Sequence, residues 1–510
     1  MKKNSENQKT TKSEPLTGKV RQSSIYILIS KIVGPVITIY ITAYVIRRLS
    51  VDHYGIYNIY LSIMAYIGLI SSTGLLNIFQ RFIPEFNEKK QYTNLKKLVL
   101  HGSLLRMVLT IVIIAVIFCL SAPFSKLFKL DGNFEYFKWF ALGILFFLES
   151  QLIGLTLTSI FLHKYYVIIQ VIYTAFRAAL IVIMLQMGWN LQGLLLSEVI
   201  AFGILLLLQI VYLHKKFWKQ NLKDNNERFP GKRIIRYGGF SYFNEVGEQI
   251  LDVSTDIFII SAYLDNVQVG LYAFANEIMR LISRWMPHRL LMDVITPAFF
   301  TKYEKSRDPK DLEFMFNLLI KLIGFIFFPV VVGLLVLGEP FISILAPKYE
   351  SAYLILCIVA VFSAINAFAY PLGLMVQAVE KVEIHLMSKI FSIYNLIGDL
   401  LVVRPYGIEG VAVITGTAVA FKNIFTFIMI KKHVQFRVHW ISLLKTILNA
   451  LIMGIMLFLC RSFIHGIVTF VIITLSGIVV YLGMSYFLKI YFKAERDYLN
   501  RIIKKPLIFF

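Results

Sequence analysis

Apolar runs of about twenty residues follow one another along this chain, with short polar interruptions between them. A helix of that length rises about 30 Å, enough to cross the hydrocarbon core of a bilayer. The pattern predicts helices near residues 23–46, 55–76, 98–120, 137–162, 165–187, 191–213, 237–262, 268–298, 314–337, 352–378, 383–403, 408–430, 439–460 and 464–488, fourteen in all. The expected fold is an all-α membrane protein. Residues 215–236 form the longest polar interruption and divide the pattern in two. The expected organisation is a basic N-terminus (1–22), a first lobe of six helices (23–220), a second lobe of six (221–435), two further helices (436–490) and a C-terminal tail (491–510).

Faint internal similarity supports that division. Gly55, Tyr57, Ile63 and Met64 match Gly270, Tyr272, Ile278 and Met279 at an offset of 215 residues, and Arg106 matches Lys321 at the same offset. Pro123-Phe124 matches Pro340-Phe341, and Gly193 matches Gly410, both at 217. An even number of helices per copy gives both copies one orientation. The expectation is two parallel repeats around a central cavity, with helices thirteen and fourteen outside the repeat.

Composition agrees with the pattern. Hydrophobic residues make up 57% of the 510-residue chain, and the mean hydropathy is +0.69. Lys and Arg number 52 against 30 acids, a formal charge of +22. In a soluble protein such a balance suggests nucleic acid; here it is a topology signal, because cytoplasmic loops collect Lys and Arg. With a cytoplasmic N-terminus, 34 of these cations fall on the cytoplasmic side, 7 on the other and 11 within helices. Both termini are therefore expected in the cytoplasm. The first segment lacks a cleavable leader pattern, so the first helix is expected to stay as an anchor.

Several chemistries find no support. Cys119, Cys357 and Cys460 each lie in an apolar run, which gives neither a disulfide framework nor a metal cluster. There is no phosphate-binding G-x-x-x-x-G-K-[ST] loop and no G-x-S-x-G. The outer loops are all short. Nothing calls for a cofactor, and an enzyme is not expected.

The charges at membrane depth are the candidate site, since such charges are costly and usually face a cavity or a partner. The seventh predicted helix carries Glu245, Glu248, Asp252 and Asp256 at spacings of three, four and four. The eighth carries Glu277, Arg280, Arg284 and His288 at the same spacings, with Arg289 beside them. Each set is expected on a single helical face. Lys31, Arg177 and Lys389 lie within other predicted helices, as do Glu149 and Glu198. One reading is that the seventh and eighth helices pair their charges as glue. The other is a water-filled cavity in which arginines hold a phosphate-bearing ligand and acids carry a coupling proton or cation.

Four segments resemble polysaccharide flippases of the Wzx type. They are Leu49-Ser-Val-Asp-His-Tyr-Gly-Ile-Tyr57, the stretch from Asp256 to Val269-Gly-Leu-Tyr272, Leu337-Gly-Glu-Pro-Phe-Ile-Ser-Ile-Leu-Ala-Pro-Lys-Tyr349, and Tyr406-Gly-Ile-Glu-Gly-Val-Ala412. The resemblance extends to the larger superfamily that also holds multidrug exporters and the lipid II flippase. It implies two six-helix lobes around a V-shaped cavity. It also implies transport of an undecaprenyl-pyrophosphate-linked oligosaccharide to the outer leaflet, coupled to a proton or sodium gradient or to membrane potential. The cationic cavity it implies corresponds to Arg280, Arg284, Arg177, Lys31 and Lys389. Glu245, Glu248, Asp252, Asp256, Glu277 and His288 would form the coupling network. The last two helices would border a groove for the lipid tail. A small-molecule exporter and a membrane-embedded glycosyltransferase or polymerase are the competing readings. A basic cavity disfavours the first, and the short outer loops disfavour the second.

Overall fold

The computed structural model describes residues 33–130, 132–219, 227–284, 286, 296, 299–300, 308–381 and 383–503. Among them there are helices and no strands. The first helix, α1, covers 33–48. After it come α2 (Val51–Ser72), α3 (Leu75–Glu88), α4 (Tyr92–Cys119), α5 (Phe137–Ser159), α6 (His163–Gln186) and α7 (Asn190–Leu213). The second half holds α8 (Gly231–Gln249), α9 (Val253–Tyr263), α10 (Asn266–Arg284), α11 (Pro309–Leu345), α12 (Tyr353–Ala367), α13 (Ala369–Ala378) and α14 (Ile390–His433). Last are α15 (Trp440–Cys460), α16 (Ile467–Leu488) and α17 (Lys493–Ile503).

By length and hydropathy, 10 stretches qualify as membrane spans among the described residues. The fourteen of the sequence pattern differ from this number for local reasons. Part of the first helix and residues 287–295 lie outside the described residues. Gly231–Tyr263 is broken into α8 and α9. The helix α10 carries Glu277, Arg280 and Arg284, which lower its hydropathy. Finally, α14 is two helices joined at Gly407, whose φ of 61° and ψ of −150° only glycine adopts readily. Gly398 on the first leg packs on Ile414 of the second, and the Tyr394 and Thr417 hydroxyls lie 3.2 Å apart. The two legs are thus an antiparallel hairpin turning at Arg404-Pro405-Tyr406-Gly407.

The polar stretch after the second span is more ordered than the hydropathy pattern suggests. Ser50 caps α2 by accepting the His53 N–H, and Thr73 and Gly74, both left-handed, end it. The chain then forms α3, an amphipathic helix that buries Leu75, Ile78, Phe79, Phe82, Ile83 and Phe86. That three-four spacing is the signature of a helix lying with one face on a core.

Packing joins α3, α5 and α7 in one group and α11, α12, α14 and α15 in another, with α16 on α15. The two groups meet mainly where α2 crosses α10. A Cβ built on Gly55 would lie 1.9 Å from the Asn266 carbonyl oxygen, and one built on Gly270 would lie 2.2 Å from that of Val51. Val51 and Asn266 are themselves 215 residues apart. The contact is therefore symmetric, each copy's glycine receiving the other copy's backbone. Around it, Arg47 Nε donates to the Leu345 carbonyl, and Lys348 Nζ to those of Arg47 and Leu49. Tyr349 packs its ring against Tyr54 and Phe274. Toward the opposite end α3 meets α8, where Arg233 forks onto both oxygens of Glu85 at 2.8 and 3.0 Å.

A buried ion pair anchors the helix α17. Lys321 Nζ lies 2.8 and 2.9 Å from the Glu495 oxygens, and the two side chains are 0% and 3% exposed. Breaking a buried pair from one side strands a charge, at a cost of about 3–5 kcal/mol. Glu495→Ala is expected to lower the thermal midpoint and release α17 to protease. A Lys321→Met, Glu495→Leu double variant should recover most of that loss, and equal midpoints for Glu495→Ala and wild type would contradict the anchor.

Candidate functional site

Between the two groups lies a cavity of about 1230 Å³. It is lined from α1–α10, α12 and α14. Among the described lining residues the charged ones are Arg106, Arg177, Arg280 and Arg284, with Glu198, Glu245, Glu248, Asp252 and Glu277. The lining is thus mixed and not basic, which removes the charge argument against a small-molecule exporter. Lys31, His288 and Arg289 lie outside the described residues. Lys389 is not in the lining; it sits behind it and binds Glu248 Oε1 at 3.2 Å.

The acidic stripe does not share one helical face. The chain leaves the helix after Gln249, and Asp252 starts a new one by accepting the Ser254 N–H at 2.9 Å. An aspartate followed two residues later by serine favours such a cap over helix continuation. The four acids therefore point to different partners. Glu245 accepts from Ser72 and Asn77 across the lobes, at 3.0 and 2.6 Å. Glu248 binds Asn244 and Lys389. Asp256 is fully buried and leaves the cavity surface.

Within the basic stripe, one pair forms along the helix itself. Arg280 Nε donates to Glu277 Oε2 at 2.6 Å one turn away. Glu277 is buried, while the Arg280 side chain is 60% exposed to the cavity. Arg177 forms a two-pronged pair with Glu198, its Nε 2.7 Å from Oε2. Tyr57 donates to the other oxygen of Glu198 at 2.6 Å.

Tyr57 has Tyr272 as its repeat partner, and Tyr272 also donates to a buried carboxylate, Asp256 Oδ2, at 2.5 Å. Here the likeness ends. Where Glu198 has Arg177, Asp256 has a second acid, Asp399 on the first leg of α14. Asn395 and Thr415 lie against the Asp256 carboxylate as well. Asp256, Asn395 and Asp399 are each 0% exposed. Asp256 Oδ1, Asn395 Oδ1, Thr415 Oγ1 and both oxygens of Asp399 are buried with no hydrogen-bond partner. The Asn395 amide N–H₂ donates to the Ile250 carbonyl at 3.4 Å. These five oxygens, two of them on one carboxylate, make an oxygen-rich pocket of the kind that holds a hard cation or a shared proton. Asp399 escaped the sequence reading because it stands alone in an apolar run. Its partners come from α9 and from beyond the Gly407 turn, which spacing along one helix does not reveal.

Residues 45–354 match the family described as polysaccharide biosynthesis protein. The chain belongs to that family. Its fold matches a lipid II flippase structure in an inward closed conformation, with a TM-score of 0.72 and 17% identity over 95% of this chain and 100% of the other. An outward-facing multidrug resistance transporter of the MATE family matches with a TM-score of 0.54 and 15% identity over 81% and 95%. A MOP superfamily transporter from Pyrococcus furiosus gives 0.53 and 14% over 81% and 95%. No curated protein matches the sequence. The candidate spans and this fold make it the multi-pass, all-α membrane protein expected from the sequence, built on the same plan as these transporters.

Proposed function

We propose that this family member flips an undecaprenyl-pyrophosphate-linked oligosaccharide from the cytoplasmic to the outer leaflet of the bacterial inner membrane, for surface polysaccharide synthesis. The carrying observation is the 1230 Å³ cavity with its charged lining, between two helix groups that meet at a symmetric glycine contact. It exceeds the roughly 300–1,000 Å³ of sites for drug-sized ligands. Hydroxyl-rich sugars suit a lining that offers both arginines and carboxylates. Arg280 and Arg284 steer the anionic head group inward, while the lipid tail stays in the bilayer beside α15 and α16. Those two helices expose Ile441, Leu459, Val468 and Phe487.

Both termini face the cytoplasm in this reading, on the cation asymmetry of the loops. The end closed by Arg47, Lys348 and the Gly55–Gly270 contact is then the outer gate. The pocket of Asp256, Asn395, Asp399 and Thr415 takes the coupling ion. Two carboxylates with the neutral oxygens of Asn395 and Thr415 beside them suit a sodium-sized cation, and a proton shared between the two carboxylates is the competing occupant.

Sidedness in cells is the test. Depleting the protein is expected to strand lipid-linked oligosaccharide on the cytoplasmic leaflet. The mixed cavity charge favours export of a soluble cationic compound as the second reading. Normal appearance of the oligosaccharide at the outer leaflet, with no redundant flippase present, would select that reading.

A further inference from the structure

We propose that Arg106 is the residue that holds the pyrophosphate group of the cargo, an assignment that rests on the flippase reading above. Arg106 is on α4, lines the cavity, and is only 1% exposed. Its Nη1 donates to the Leu148 carbonyl at 2.8 Å and its Nη2 to Gln151 Oε1 at 2.9 Å. Its Nε is buried with no hydrogen-bond partner. Both acceptors are neutral. They fix the guanidinium fork without cancelling its charge.

Arg177 and Arg280 of the cavity, and the repeat-related Lys321, differ. Arg177 is neutralised by Glu198 and Arg280 by Glu277. Lys321, the repeat partner of Arg106, is neutralised by Glu495. Arg106 makes no ion pair among the described residues. Glu149 and Glu245 are close enough to feel its field, but neither pairs with it, and Glu245 is engaged by Ser72 and Asn77. A buried cation without an ion pair is expensive to keep. A ligand that brings several anionic oxygens removes the expense, and the planar fork suits a pyrophosphate.

Access depends on one small residue. A Cβ built on Gly68 of α2 would stand 4.0 Å from Arg106 Nη2. With glycine there, no Cβ covers the buried guanidinium from the α2 side. The same Cβ would meet Leu148 Cδ2, the movable end of a side chain, at 2.9 Å. Gly68→Leu therefore covers the cation without removing it, and leucine is also the better helix former.

The experiment measures binding of farnesyl pyrophosphate, with inorganic pyrophosphate in parallel, to the purified full chain. Loss of a hydrogen-bonded charged partner should weaken binding at least about 10-fold in Arg106→Gln. Arg106→Lys should retain part of the affinity, Gly68→Leu should weaken it as Arg106→Gln does, and Arg280→Gln should lose less. Equal affinity of inorganic pyrophosphate, with the same dependence on Arg106, upholds the site and shows that the lipid adds nothing to it. Wild-type affinity in both Arg106→Gln and Gly68→Leu overturns it, as does a larger loss in Arg280→Gln. If the wild type flips lipid-linked oligosaccharide while Arg106→Gln binds normally, the site alone fails. If farnesyl pyrophosphate binds through Arg106 but the wild type moves no oligosaccharide, the site stands and the flippase reading fails.

Discussion

Gly270→Leu is expected to leave the chain inserted and folded but unable to close its outer gate. The Cβ alone would fall 2.2 Å from the Val51 carbonyl oxygen, a backbone atom that cannot swing aside. Overpacking of a tight contact costs about 1–3 kcal/mol. Because this contact joins the two helix groups, the cost falls on the closed state and not on either group alone. A shift of that size lowers the closed population about 5- to 150-fold relative to the open one. Gly55→Leu should act alike, since its Cβ would fall 1.9 Å from the Asn266 oxygen. The measurement is labelling of a cysteine placed at Ser283, a cavity residue, by a membrane-impermeant reagent, after Cys119, Cys357 and Cys460 are replaced. Faster labelling from outside with transport lost is the expected result. Wild-type labelling with wild-type transport would show that the glycine contact is not a gate.

Asp399→Asn is expected to abolish the response to the coupling ion. Two carboxylates about 4 Å apart repel by roughly 4 kcal/mol at an effective dielectric of about 20. Asp256 and Asp399 share a fully buried site in which the Tyr272 hydroxyl donates to Asp256. A bound cation removes the repulsion and can draw on the oxygens of Asn395 and Thr415. It also stabilises the folded state by mass action, about 2.7 kcal/mol at a hundred times the dissociation constant. Purified wild type should therefore melt higher in sodium chloride than in choline chloride at equal ionic strength. In Asp399→Asn and Asp256→Asn that difference should vanish. A salt-independent wild type would reject a sodium site and leave the proton as the coupling ion to be tried. An Asp399→Asn variant that keeps the full sodium effect would remove this pocket from the coupling mechanism.

Much of this arrangement is visible in the chain, and the rest is hidden for physical reasons. Hydropathy finds the spans because lipid demands long apolar helices. The matched Gly55 and Gly270 mark the place where the copies touch, since only a residue without a side chain admits the other copy's backbone. The matched Tyr57 and Tyr272 each hold a buried carboxylate, although the carboxylates themselves are not at matching positions. Periodicity misleads at Asp252, where a side-chain cap outcompetes the helix and scatters the acids that spacing had aligned. It is silent on Asp399 and Arg106, because a lone charge in an apolar run carries no periodic signal. Their importance comes from what surrounds them: a second acid in one case, only neutral acceptors in the other.

The most direct test of the account is flipping in vesicles. The full chain is reconstituted with fluorescent undecaprenyl-pyrophosphate-linked oligosaccharide, and the fraction of lipid accessible to an external quencher is followed with an inward sodium gradient imposed. The account predicts that wild type equilibrates or concentrates the lipid across the bilayer, that Gly270→Leu does not, and that Asp399→Asn loses the effect of the gradient. Movement no faster than in protein-free vesicles, with correctly inserted and ligand-competent protein, would contradict it.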